Sequence, residues 1–171
     1  MTVEQHQRRL RTEILTARQG FASGIVAGLA FTLVAGALSS ALGAGPWTPV
    51  NAAGSFFLGV QPIPDAFAGA VSYAGLAVMV LMGALLGTLY ATAQEPLDTP
   101  SLLIIAVYYG GITWFVSTFF MLSWLNPAVR AVWQSWPVLA GSLVYGAVLG
   151  VFAVLRNPYR RAPKMSPKGQ A

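Results

Sequence analysis

Residues 66 to 93 read AFAGAVSYAGLAVMVLMGALLGTLYATA, with no charged side chain anywhere in the run. At 1.5 Å per residue such a helix is about 42 Å long, more than the about 30 Å of a hydrocarbon core, so it crosses a bilayer with room to tilt. The rest of the chain has the same character. Of 171 residues, 56% are hydrophobic and 9% are charged, where a soluble domain carries about 25% charged residues.

Three more runs meet the length of a span. They are about 20–42 (GFASGIVAGLAFTLVAGALSSAL), about 102–125 (LLIIAVYYGGITWFVSTFFMLSWL) and about 137–155, the last opening on Pro137 at a tolerated first-turn position. The first run exceeds the 7–15 residues of a signal-peptide core, so it is read as a retained span and not a cleaved leader. The expected fold is all-α and polytopic, with one four-helix transmembrane domain over 20–155.

Basic residues set the expected orientation. Arg8, Arg9, Arg11 and Arg18 precede the first span, and Arg156, Arg160, Arg161, Lys164 and Lys168 follow the last, whereas the two loops on the other side hold only Arg130. Both termini are therefore expected in the cytoplasm of an inner membrane. The EPLD loop (95–98) would lie on the same side, its two acids counting for little.

Residues 1–19 are expected to form a cytoplasmic amphipathic helix, with Val3, Leu10, Ile14 and Ala17 on one face and arginines placed to meet anionic lipid. Residues 156–171 read as a basic cytoplasmic tail. The outer loop 45–65 is unusual: VNAAGSFFLGV (50–60) is apolar but too short to span. It suits a lid or re-entrant helix with Asn51 as N-cap and Phe56 and Phe57 turned to lipid or protein.

The phrase GALLGTLYA (83–91) returns as GAVLGVFAV (146–154), identical at four of nine positions. WTPVNA (47–52) follows the first span as WLNPAV (124–129) follows the third, and GLAFTLVAG (28–36) loosely matches GITWFVSTF (111–119). A tandem repeat of a two-helix hairpin accounts for this order, its copies parallel about an axis along the membrane normal. Gly83 and Gly87, Gly146 and Gly150, and Gly20, Gly24 and Gly28 then form small-residue faces on which helices approach closely.

Site chemistry is sparse. No ionisable residue lies within a span, His6 is the only histidine, and cysteine is absent. Proton relays, voltage sensing and thiolate chemistry lose their usual groups. No cofactor, metal or nucleic-acid partner is expected, nor is an enzyme. The remaining polar feature is a stripe of Tyr109, Thr113 and Ser117 at i, i+4 and i+8 on the third span, with Trp114 and Thr118 beside it; it either packs helices or lines a ligand path. Trp47, Trp124, Trp133 and Trp136 are placed for an interfacial belt or a protein contact.

LVYGAVLG (143–150) and WLNPAV (124–129) resemble a group of uncharacterised small bacterial four-helix integral membrane proteins. The resemblance implies polytopic architecture and no activity. A histidine is expected near Ser142 in that group, and this chain has none there. Two roles are carried forward. The first is a non-catalytic accessory subunit of a membrane complex or homo-oligomer. The alternative is a small channel or carrier for a neutral or apolar solute.

Overall fold

Four helices in the computed structural model are long and apolar enough to cross a membrane: Ala17–Ala41, Ala70–Ala93, Pro100–Leu125 and Trp136–Arg156. The structure describes residues 3–93 and 99–156, with side chains from 17–93 and 100–156. Within those bounds the chain is all-helical, the architecture of a multi-pass membrane protein. The side chains of the amino-terminal face, the EPLD loop and the basic tail beyond Arg156 lie outside the described residues.

Helix α1 (Val3–Ala41) is continuous, so the segment expected as a separate short helix before the first span runs straight into it. It ends on a Schellman motif. Gly43 turns left-handed at φ 81°, its N–H reaches the Ser40 carbonyl at 3.1 Å, and the Ala44 N–H reaches that of Ser39 at 2.9 Å. The chain then folds back until the Pro46 carbonyl rests where a Cβ on Gly36 would stand, 2.7 Å away.

Helix α2 (Thr48–Leu58) starts with Pro49 in its first turn and stops at Gly59, which is left-handed at φ 66°. Asn51 is not its N-cap. Trp47 holds that position without a side-chain bond: an indole has a donor but no acceptor for the first-turn N–H groups, and Pro49 removes one of those groups from the helix start. Asn51 instead lies inside the helix, fully buried. Its amide donates to the carbonyls of Pro64 (2.9 Å) and Ala66 (2.7 Å), and its Oδ1 accepts from Ser72 Oγ (2.6 Å). Ser72 Oγ in turn accepts the Ala68 N–H at 2.8 Å. One side chain thus fixes the non-helical 64–68 segment, and α3 (Ala70–Ala93) begins four residues after the hydrophobic run does. Phe57 is exposed, but Phe56 packs inward beside Ala52, Leu122 and Val129.

The third span consists of α4 (Thr99–Val116), a π-helical turn over Ser117–Met121 and α5 (Leu122–Leu125). Asn126 then caps α6 (Pro127–Trp133) by accepting the Val129 N–H at 3.1 Å, and α7 (Trp136–Arg156) completes the bundle. Each half is therefore a span, a short helix with proline in its first turn, and a second span. The short helices α2 and α6 touch one another at the end of the bundle opposite the termini.

The backbones pack in the order α3, α1, α7, α4. Glycine sets two of these contacts. A Cβ on Gly20 would stand 2.6 Å from the Gly87 carbonyl oxygen, and one on Gly83 2.8 Å from that of Gly24. Gly28 meets the Met79 carbonyl at 3.1 Å. On the other side, a Cβ on Gly146 would lie 3.0 Å from Val107 Cα and one on Gly150 2.9 Å from Ala106 Cβ. The two similar phrases thus face different partners, α1 for α3 and α4 for α7. The central α1–α7 contact is built on Ala27, Phe31, Ala35, Val138 and Gly141. Lipid tails are as apolar as these side chains, so close van der Waals packing holds the helices together in place of hydrophobic exclusion from water.

Candidate functional site: a cleft between the third and second spans

The backbones of α3 and α4 do not pack closely. Tyrosines bridge the gap in its half nearer the termini. Tyr109 Oη donates to the Leu86 carbonyl at 2.9 Å, Tyr90 Oη to that of Leu102 at 3.3 Å, and Tyr145 Oη, from α7, to that of Gly83 at 2.8 Å. Tyr90 and Tyr109 also pack with ring centroids 5.2 Å apart. A phenol suits such a bridge, since its ring fills apolar space while its hydroxyl finds a backbone acceptor.

In the other half the gap stays open as a cleft of about 330 Å³, at the low end of the about 300–1,000 Å³ usual for ligand pockets. Its back wall is Gly28, Phe31, Ser142 and Tyr145; Met79 and Gly83 form its α3 side, and Thr113 and Trp114 of α4 with Ser117 of the π-helical turn its third-span side. The mouth is framed by Met82, Ile112, Val116 and Met121, all exposed on the surface that the apolar spans present to lipid. Three of the chain's five methionines line this one space. Thioether side chains are unbranched and polarisable, so they adapt to irregular apolar contents.

The sequence-derived stripe divides here. Thr113 and Ser117 line the cleft, while Tyr109 lies outside its lining and serves as a bridge to α3. Thr118, beside the stripe, is fully buried with no hydrogen-bond partner for its hydroxyl. Of the seven glycines named from the sequence, Gly28 and Gly83 reach the cleft, and Gly20, Gly24, Gly87, Gly146 and Gly150 lie at helix contacts away from it. Trp133 is half-buried at the end of α6. It packs on Phe31 at a centroid distance of 6.4 Å, and its carbonyl accepts the Trp114 indole N–H at 2.8 Å. Trp124 and Trp136 are exposed.

Sequence reasoning missed the cleft because no single span encodes it. The available signal was methionine placement: Met79 and Met82 stand at i, i+3 on one span and Met121 on the next. Among the described residues no group of His, Cys, Asp or Glu is arranged to hold a metal ion. The lining offers hydroxyls, thioethers and indole in an apolar wall, which is the chemistry of binding a neutral molecule. Comparison of the chain with protein-family models, with curated proteins and with solved structures finds no match.

Proposed function

We propose that this is a non-catalytic membrane protein that takes a neutral apolar molecule from the lipid phase into the α3–α4 cleft, acting as a small carrier or as a lipid-binding accessory. The observation that carries this reading is the cleft itself: an apolar, methionine-rich space opening sideways between two spans. The test is saturable binding of tritiated hexadecane to the purified full-length protein in detergent. Ile112→Trp, at the mouth, is expected to abolish binding, and Leu81→Trp, an exposed α3 position outside the lining, to leave it. Absence of saturable binding to the parent overturns the reading.

A second reading, an accessory subunit or homo-oligomer, is favoured by the third span. Over an 18-residue apolar stretch of it only 22% is buried within the chain, against 39%, 39% and 44% for the like stretches of the other three. Tyr108, Phe115, Phe120 and Trp124 are among its exposed side chains. Native-gel sizing after mild extraction, with identification of co-migrating chains, tests it. A monomer with no partner sinks it.

The proposed location is a bacterial inner membrane with both termini cytoplasmic. Nine of the ten Lys and Arg residues flank the termini, and positive charge is retained on that side. Arg18 and Arg156 are exposed there, placed to meet anionic lipid, and Arg156 Nη1 also donates to the Gln19 carbonyl at 2.9 Å. Because the chain lacks cysteine, single cysteines at Thr2, Gln61 and Gln170 report topology with an impermeant thiol reagent on intact cells. Labelling of Gln61→Cys alone is expected; labelling of the other two alone reverses the orientation.

A further inference from the structure

Most polar side chains of the cleft have already given away their protons. Thr113 Oγ1 donates to the Gly110 carbonyl (2.9 Å), Ser117 Oγ to that of Trp114 (3.0 Å), Ser142 Oγ to that of Val138 (2.9 Å) and Tyr145 Oη to that of Gly83 (2.8 Å). The Trp114 indole N–H is taken by the Trp133 carbonyl at 2.8 Å. Trp133 is different. It also lines the cleft, and among the described residues its own indole N–H has no acceptor. The described side-chain atoms sealed in the interior without a bond are Ser55 Oγ and Thr118 Oγ1; the Trp133 N–H is not one of them, so it stays open to contact.

The fold holds this donor in place without using it. The Trp133 ring packs on Phe31, and its carbonyl is tied to Trp114. Trp133 ends α6, at the end of the bundle opposite the termini, just before α7 starts. The donor therefore stands at the outer end of the cleft. From there the lining descends along α3 through Met79, Met82 and Leu86. No Lys, Arg, His, Asp or Glu is among the lining residues.

We infer that the cleft holds the acyl chain of a neutral ester, with the ester carbonyl accepting from the Trp133 indole N–H and the chain running past Met79, Met82 and Leu86. This rests on the cleft-binding reading above and makes Trp133 the residue that sets specificity. An indole N–H only donates, and in an apolar space an unpaired donor is a lost bond. A saturated hydrocarbon fills the space and leaves the donor unpaired, whereas a carbonyl oxygen satisfies it without disturbing any bond already made. Depth agrees as well. The acyl esters of a membrane lipid lie where the hydrocarbon core meets the headgroups, the level at which tryptophan at the end of a span is placed. One hydrogen bond of this kind in a membrane protein corresponds to about 3- to 30-fold in affinity. The ester has two chemical sources, a membrane glycerolipid or a free alkyl ester.

The experiment is displacement of tritiated methyl hexadecanoate from the purified full-length protein by unlabelled methyl hexadecanoate, octadecane of matched chain length, and dioleoylglycerol, at equal mole fraction in detergent. The methyl ester is expected to compete about 3- to 30-fold better than octadecane. Dioleoylglycerol competing as well as the methyl ester assigns a membrane lipid; competing poorly, it assigns a free ester. Benzothienylalanine in place of Trp133 keeps the shape of the ring and puts sulfur where the N–H was. It is expected to lower the ester to the level of octadecane, as is Trp133→Phe. Octadecane needs no donor, so its binding reports an intact cleft in each variant. The same analogue in place of Trp136, exposed and outside the lining, is expected to leave the ester preference unchanged. Equal competition by ester and octadecane in the parent, or an ester preference that survives benzothienylalanine at position 133, overturns the inference and leaves the cleft as an apolar site. No saturable binding of either ligand overturns the cleft reading as well.

Discussion

Tyr145 Oη donates to the Gly83 carbonyl oxygen at 2.8 Å, so the residue just before the second glycine phrase is bonded to the first residue of the first. This bond ties α7 to α3 across the bundle and closes the cleft at its base, where both residues belong to the lining. Gly83 sits with its missing side chain against α1, so its carbonyl is within reach of α7 while its backbone touches Gly28.

Replacing Tyr145 by Phe keeps the ring and removes the bond. Such bonds between membrane helices contribute about 0.6 to 2 kcal/mol, and the Gly83 carbonyl lies within α3, so a loss toward the lower end is expected. Thermal unfolding in detergent reads it. An unchanged midpoint in Tyr145→Phe removes this bond from the account of the bundle.

Asn51 carries a larger share of the fold at the opposite end. It is fully buried and joins α2 to the carbonyls of Pro64 and Ala66 and to Ser72. Asn51→Ala leaves the buried Ser72 hydroxyl without its acceptor, at about 1 to 3 kcal/mol, and frees the part-buried carbonyls of Pro64 and Ala66 from their donor. The expected result is a large fall in stability together with faster amide hydrogen exchange over residues 61–69. Exchange in that segment matching the parent would mean that Asn51 does not hold it.

The spans were legible in the sequence because an uncharged run about 20 residues long has one stable outcome in a bilayer. The expected 102–125 and 137–155 differ from the observed Pro100–Leu125 and Trp136–Arg156 by at most two residues. The start of α3 was not legible, since the run AFAGAV is apolar throughout; the helix begins at Ala70 because Gly69 turns left-handed at φ 53° and Asn51 holds the Pro64 and Ala66 carbonyls. The π-helical turn at Ser117–Met121 has no proline or glycine to announce it. Glycine spacing marked which positions are small enough for close approach, yet not which helix would approach. Hydropathy is blind to neighbours, and so to the cleft.

Thr118 gives an opposite kind of test from Asn51. Its hydroxyl is buried without a partner, while the Thr32 hydroxyl, on α1, donates to the Gly28 carbonyl at 2.9 Å. A buried hydroxyl without a bond costs about 1 to 3 kcal/mol, and valine replaces it with a methyl group of similar size. Thr118→Val is expected to raise the unfolding midpoint, and Thr32→Val to leave it level or lower it. A fall in Thr118→Val would show that the hydroxyl has a partner in the membrane.

Gly110 and Gly111, adjacent on α4, are expected to respond to the same substitution with opposite sign. A Cβ on Gly110 would run into the Ser142 carbonyl and come within 3.1 Å of the Gly146 nitrogen, both backbone atoms of α7 that can yield only if the helices separate. A Cβ on Gly111 meets only the tip of Leu143, at an ordinary 3.6 Å. Glycine within a helix costs about 0.5 to 1 kcal/mol relative to alanine, so Gly111→Ala should gain that much. Gly110→Ala has the same gain offset by overpacking of a close contact, typically about 1 to 3 kcal/mol, and should be destabilised on balance. Moving the two variants through one thermal assay cancels differences in detergent and preparation. If both stabilise, α4 and α7 do not approach as closely as the Gly110–Ser142 contact requires, and the wall that carries Ser142 into the cleft must be placed further from α4.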